Sequence, residues 1–429
     1  MYKSTQMTNS PIIYEIFPRN HGPRGTFADI IDDLPRIRNL GVDIIWLMPI
    51  HPIGVLHRKG KDGCPYAIQD YLKIHDDLGT VEQFSELIRQ THNLGMKLIL
   101  DMVFNHTSPD SRLRSEHPEY FYKNDAGEIS TKVPEWSDVI DLDYSHRNLW
   151  DEQTNVLKYW TSLGVDGFRC DVAPIIPVAF WEFARQNVDP EHKQVWIAES
   201  VHLSFVQELR GQGFNCHSDA ELHPVFDFTY DYDAFGFLEQ WFHDRSPLKP
   251  WIDYLNIQSS LYPDCAQKLR FLENHDCQRI ASRLKSIDQL KNWTLLMFLL
   301  SGAKLVYAGQ EFGFMHLPSL FEKDTIDWSF SNEDFHQFFE MVLNFTSHHK
   351  PDKNRFHINQ ISETLIEIKW ISNGEFISFL NLAPDECMFT SPYEITGTNV
   401  FSEEKLTLSV GDPIQKFPFV IRSDSPVVE

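Results

Sequence analysis

Apolar positions along the chain follow two alternating rhythms. Ile12 to Phe17 is a strand-length, mostly apolar run, and from Phe27 to Leu40 the residues Ile30, Ile31, Leu34, Ile37 and Leu40 recur with helical spacing until Gly41 ends the segment. Val42 to Met48 is nearly continuous in apolar side chains, as expected of a parallel strand covered on both faces. The cycle repeats: Thr80 to Leu94 reads as a helix with Gly95 as its stop, and Lys97 to Phe104 as a third strand. Helical periodicity returns at Ser145 to Gly164, Val178 to Gln186, Tyr232 to Phe242 and Leu290 to Leu300. Between these, Val165 to Cys170, Val195 to Ala198, Val225 to Phe228, Leu269 to Leu272 and Lys304 to Tyr307 complete eight predicted strands. Eight strand–helix units predict an α/β fold, a closed (β/α)₈ TIM barrel with its chemistry at the C-terminal ends of the strands.

Two stretches break the rhythm. Residues 106–144 have little periodicity and are rich in Ser, Pro, Asp, Glu and aromatics, which reads as a small subdomain inserted after strand three. Beyond residue 350 the pattern turns to short alternating runs (Thr364 to Ile371, Glu375 to Leu382, Lys405 to Val410, Pro418 to Ile421) with a turn at Ser372-Asn373-Gly374. The expected organisation is a barrel over 1–105 and 145–350, an insertion over 106–144, and a C-terminal antiparallel β-sandwich domain over 351–429.

A formal net charge of −23 over 429 residues argues against a phosphate-backbone surface, so no nucleic-acid partner is expected. The first ten residues, MYKSTQMTNS, have no apolar run of the signal-peptide kind, and no stretch approaches the ~20 apolar residues of a membrane span. Cysteines 64, 170, 216, 265, 277 and 387 are scattered without a CxxC pair, as reduced thiols would be. The expected location is cytoplasmic, with no membrane partner and an open oligomeric state. No HExxH or other close histidine spacing suggests zinc.

Four carboxylate-bearing strings end apolar runs in order: Asp101 to His106 (DMVFNH), Gly167 to Asp171 (GFRCD), Trp196 to Glu199 (WIAE) and Phe271 to Asp276 (FLENHD). Singly, an Asp after a strand is as often the N-cap of the next helix. Together the strings resemble the four signature regions of the alpha-amylase family of glycoside hydrolases. The likeness extends to IIYEIFPRNH, GVDIIWLMPIHP and PYAIQDYLKIHDDLGT, and covers roughly residues 11–330.

Carried onto this chain, the resemblance implies that Asp171 is the nucleophile, with Arg169 holding its pKa low, and that Glu199 is the general acid/base. Asp276 is then the third carboxylate, stabilising an oxocarbenium-like transition state. His106 and His275 would bond sugar hydroxyls, Tyr66 would stack on the sugar ring, and Asp101 would brace Arg169. Tyr71 reads as core. A retaining mechanism of this kind sets the nucleophile and acid carboxyls about 5 to 5.5 Å apart. No cofactor is needed for the chemistry; a structural calcium on Asn105 and Asp141 is a further implication, since hard oxygen ligands suit that ion.

Departures bear on specificity. Val172-Ala173-Pro174-Ile175 replaces the Lys-His pair of secreted starch-degrading members, and resembles enzymes of cyclodextrins and short maltodextrins. Glu322 to Trp328 (EKDTIDW) stands where α-glucosidase-like members carry Arg-Thr-Pro. The expected function is a hydrolase of α-1,4-glucosidic bonds in malto-oligosaccharides or α-glucans. Two alternatives stand beside it: a transglycosylase using the same covalent intermediate, and a non-catalytic carbohydrate-binding scaffold.

Overall fold

The computed structural model describes residues 10–263, 266–330, 332–349, 356–384, 389–414 and 417–424. The first nine residues, Cys265, Cys387 and the expected 350/351 boundary lie outside them. Eight parallel strands close into a barrel: β1 (Ile12–Ile16), β2 (Ile44–Leu47), β3 (Lys97–Met102), β4 (Gly167–Cys170), β5 (Val195–Ala198), β6 (Phe228–Tyr230), β7 (Gln267–Arg270) and β8 (Ala303–Tyr307), with β8 pairing back onto β1. Most strand residues are fully buried because helices cover the outer face and side chains fill the inside.

Helix boundaries follow local chemistry. In Val81–Asn93 the Thr80 hydroxyl accepts from the Gln83 amide while the Gln83 side chain accepts from the Thr80 amide, a reciprocal N-terminal cap. Gly41 and Gly95, which close the first two predicted helices, have φ of +87° and +74°, a region that side chains disfavour.

Two strands differ from the sequence reading. The predicted strand at Val225 to Phe228 lies at β6, because Val225 and Phe226 instead cap the preceding turn and Asp227 accepts from the Trp196 amide at 2.8 Å. The predicted strand at Leu269 to Leu272 begins earlier, at β7, where charge hides it. Lys268 is buried against Asp219 and lies 2.9 Å from Asp233, while Arg270 meets Asp231 at 2.6 Å. Buried charges that are paired are compatible with a strand, so the apolar pattern alone is a poor guide there.

Between β3 and β4 the chain leaves the barrel. His106–Thr107 pairs antiparallel with Ile140–Asp141, and two short helical turns (Arg112–Glu116, Pro118–Tyr120) fill the excursion. Beyond the barrel, an antiparallel six-stranded sheet contains Phe356–Gln360 and Ile395–Asn399 as well as four strands near the predicted runs. A separate pair, Phe389–Thr390 with Pro413–Ile414, packs Ile414 against Ile377, Phe379, Ile395 and Ile421 of the sheet. The sheet is bound to the barrel by Phe345, whose ring meets Trp370 and Phe376, and by Gln289 donating to the Leu382 carbonyl at 2.8 Å. Among the described residues no helix is long and apolar enough to cross a membrane, and Cys64, Cys170, Cys216 and Cys277 are free thiols.

Candidate active site

At the C-terminal mouth of the barrel three of the four strings converge on one guanidinium, and the fourth joins them through His275 and Tyr66. Arg169 sits in β4, fully buried, with Nη1 2.9 Å from Asp101 Oδ1 and 2.8 Å from Asp171 Oδ1, and Nη2 2.8 Å from Glu199 Oε1. Its register partner on β3 is Asp101, which sets the first of these contacts by strand pairing alone. Three aromatic rings surround the cation: Trp46 at 5.2 Å, Tyr230 at 5.5 Å and Tyr66 at 5.7 Å. One fixed charge thereby holds the two carboxyls that end β4 and β5 on its two adjacent nitrogens.

The two oxygens of Asp171 differ. Oδ1 is bonded by Arg169, whereas Oδ2 is buried without a hydrogen-bond partner and lies 4.0 Å from His106 Nε2. Burial raises the Asp171 pKa to about 6 against the opposing pull of Arg169. This corrects the expectation that Arg169 keeps the value low: at 5% exposure, lost hydration outweighs the ion pair. An acid of pKa about 6 is still mostly anionic at neutral pH. Glu199 is raised further, to about 7, again by burial against Arg169, so a substantial share carries a proton under the same conditions. Its Oε2 accepts from the Val172 amide at 2.7 Å.

Asp276 is placed differently from the sequence reading. It lies six residues beyond the end of β7, on a loop, with its side chain 45% exposed. Its neighbour His275 is fixed instead: Nδ1 pairs with the buried Glu15 carboxylate, and Nε2 lies 2.7 Å from the Tyr66 hydroxyl and 3.2 Å from Asp276 Oδ2. Burial would depress this imidazole, but Asp276 and Glu15 outweigh it and push the pKa up to about 9. His275 is therefore a cation that donates from both nitrogens. Tyr66 donates to Asp101 Oδ2 at 3.0 Å and stacks on His275, with centroids 5.3 Å apart and planes 13° from parallel. His106 is buried, and burial lowers its pKa, so it is neutral at pH 7. Tyr71 donates to the Val103 and His106 carbonyls at 2.6 and 3.0 Å, a purely structural anchor.

Three residues of the centre, Trp46, Tyr230 and Glu15, escaped the motif reading, and a fourth, Val172, was read there only for specificity. Trp46 and Tyr230 look like ordinary core aromatics. Glu15 carried a usable signal, as the one charged residue in the buried strand IIYEI. Val172 contributes its backbone: φ 41° and ψ 42° put a β-branched residue in the left-handed region, an arrangement that costs on the order of 1–3 kcal/mol and is found where function demands it.

The residues expected to hold calcium do not fit that ion. Asp141 is buried and its Oδ2 accepts from the Lys132 amide at 2.9 Å, with the Lys132 ammonium 3.8 Å away. That ammonium also donates to the Leu142 carbonyl at 3.3 Å, and the Asn105 amide nitrogen lies 3.4 Å from Asp141 Oδ1. A calcium ion needs six to eight oxygens, and here an ammonium and an amide N–H already face the single carboxylate. Among the described residues no group of three or more His, Cys, Asp or Glu could hold a metal ion. A chelator is therefore expected to leave the thermal melt unchanged, whereas Lys132→Met, which uncovers buried Asp141, should cost ~1–3 kcal/mol. A melt that drops on chelation and recovers with calcium would overturn this.

Comparison with known proteins agrees with the geometry. The sequence profile of the family described as "Alpha amylase, catalytic domain" matches residues 3–138 and 134–356. An alpha-amylase from Lactobacillus plantarum superposes with TM-score 0.89 at 38% identity, covering 96% of this chain and 98% of the other. A noncanonic maltogenic alpha-amylase, AmyB from Thermotoga neapolitana, gives TM-score 0.84 at 30% identity over 96% and 98% of the two chains. Among curated relatives, an alpha-1,4-glucan:maltose-1-phosphate maltosyltransferase from Rhodospirillum rubrum is 36% identical over 212 residues, 44% of this chain. That match spans only about a third (31%) of the relative's own length. With a profile match over most of its length and a full-length structural counterpart, the chain belongs to the alpha-amylase family and is an enzyme of that family.

Proposed function

We propose that this enzyme is a retaining glycoside hydrolase acting on α-1,4-glucosidic bonds of maltodextrins. The observation that carries the reading is the asymmetry of Asp171: one oxygen tied to Arg169, the other buried and bare. A carboxylate stripped of solvent and of donors on one oxygen is prepared to form a bond to carbon. Asp171 Oδ2 attacks the anomeric carbon while Glu199 gives its proton to the departing glycosidic oxygen. The ionised Glu199 then takes a proton from water, whose oxygen displaces Asp171 and regenerates both groups. Asp276 and the His275 cation bracket the sugar hydroxyls, and His106 offers Nε2 beside the nucleophile. The ring of Tyr66, locked by Asp101 and His275, supplies a flat wall.

Both Glu199 oxygens are engaged, Oε1 by Arg169 and Oε2 by the Val172 amide, and we assign this arrangement to the resting position of the acid. A second reading, transfer of the glycosyl group to another sugar, is favoured by the curated relatives named as maltosyltransferases. Maltotriose separates the two. Hydrolysis yields glucose and maltose from the first minutes; early accumulation of maltotetraose and longer chains would replace hydrolysis with transfer while leaving the roles of Asp171 and Glu199 intact.

A further inference from the structure

A second concave site lies on the same face of the barrel. A cavity of about 380 Å³ is walled by the segments that follow β1 and β2 and by Lys323 from the segment after β8. Its wall continues into the catalytic floor, because Pro65 lines the cavity and the next residue, Tyr66, bonds Asp101 and His275.

The cavity's charges run against the composition of the chain. On a protein of net charge −23, it gathers Arg19, Arg58 and Lys323, and among the described residues none of the three has a carboxylate within 4 Å. Each is held by neutral main-chain oxygens instead. Arg19 donates to the carbonyls of Asp62, Gly63 and Leu320, with its Nε buried and unpartnered. Arg58 donates to Gly54 and Ile53, and Lys323 to Arg24. The fourth cation in the lining, Arg24, is already paired with Asp29 and Asp32. Two carboxylates, Asp62 and Asp77, also line the space. Burial holds the two lining histidines, His51 and His75, below the usual imidazole range, so both are neutral at pH 7.

Carbonyl oxygens can orient a guanidinium but cannot neutralise it, and although Asp62 and Glu322 act on Arg19 from beyond contact distance, three cations without an ion-pair partner in a partly enclosed site attract an anion with several acceptor oxygens. The remaining walls, including Phe17, Pro49 and Pro65, are apolar and suit the C–H faces of a sugar ring. We propose that this cavity binds a phosphorylated saccharide, its phosphoryl group among Arg19, Arg58 and Lys323 and its ring against the apolar wall. The inference rests on the proposed function only for the choice of a sugar as the body of the ligand.

Calorimetry on the full chain at low ionic strength tests this without reference to turnover, using glucose 6-phosphate, glucose and inorganic phosphate as probes. Glucose 6-phosphate should bind at least tenfold more tightly than either glucose or inorganic phosphate, and added salt should weaken it. Lys323→Gln, at an exposed position with one main-chain bond, and Arg58→Gln should each weaken it at least fivefold. Equal binding of glucose and glucose 6-phosphate would overturn the proposal, as would inorganic phosphate binding as tightly as the sugar phosphate, which marks a site for the free ion. Unaltered binding in folded Lys323→Gln would overturn it too, even if Arg58→Gln fails to fold.

Discussion

Changing Asp171 to Asn is expected to lower kcat on maltotriose by roughly 10⁴-fold or more, the range seen when a covalent nucleophile is removed from an otherwise intact site. The amide keeps the size of the side chain and can still accept from Arg169, so the loss reports the missing nucleophile rather than a collapsed pocket. The same substitution has an opposite effect on stability. The folded-state pKa of Asp171, about 6, is raised above the ordinary 3.8, so its stabilising contribution is complete below about pH 4 and lost as pH rises through about 6. At neutral pH the ionised carboxyl costs the fold on the order of 2–3 kcal/mol. Asn carries no such charge, so the variant should melt above wild type at pH 7, and the gap should narrow toward pH 4. An inactive variant that melts lower at pH 7 would show instead that the Arg169 ion pair is worth more than the burial it requires.

Glu199→Gln should cost roughly 10²–10⁴-fold on maltotriose, the usual yield of general acid catalysis. A substrate whose leaving group needs no proton, such as α-maltosyl fluoride, should suffer far less in its first step. Wild-type activity should rise as Asp171 ionises, near pH 6, and fall as Glu199 loses its proton, near pH 7. The two carboxyls share Arg169, so the observed midpoints belong to the pair. In Glu199→Gln the alkaline limb should vanish when the fluoride is turned over. Retention of both limbs would remove Glu199 from the acid's place.

The strand end at Glu199 was legible because the unbroken apolar run Val195 to Ala198 leads into it, and the one at Asp171 because Phe168 and Cys170 mark a buried strand on either side of the single charge of Arg169. The convergence on Arg169 was partly legible, since strand pairing alone sets Asp101 opposite it. β7 was misplaced because Lys268 and Arg270 disguise a buried strand as a polar one, and their partners Asp219, Asp231 and Asp233 are distant in sequence. That error also put Asp276 at a strand end when it stands on a loop. Glu15 bonds His275 across 260 residues, a relation no local pattern carries. The expected calcium ligands failed for a similar reason: the ammonium of Lys132 reaches them from elsewhere in the insertion, and only the fold brings it there.

One peptide unit, between Asp171 and Val172, links the two carboxyls that follow β4 and β5. The carbonyl of that unit belongs to Asp171, its N–H from Val172 donates to Glu199 Oε2, and the left-handed Val172 in turn accepts from the Ile175 amide through its own carbonyl. Under the proposed mechanism, a Glu199 that turned toward a leaving oxygen would give up the Val172 amide and so remove one hold on the strained turn. Proton delivery and the hold on the loop that follows Asp171 would then be coupled through that one hydrogen bond. A glycine at this position would keep the N–H that meets Glu199 but adopt the turn without strain, leaving the hydrogen bond in place and removing the tension behind it.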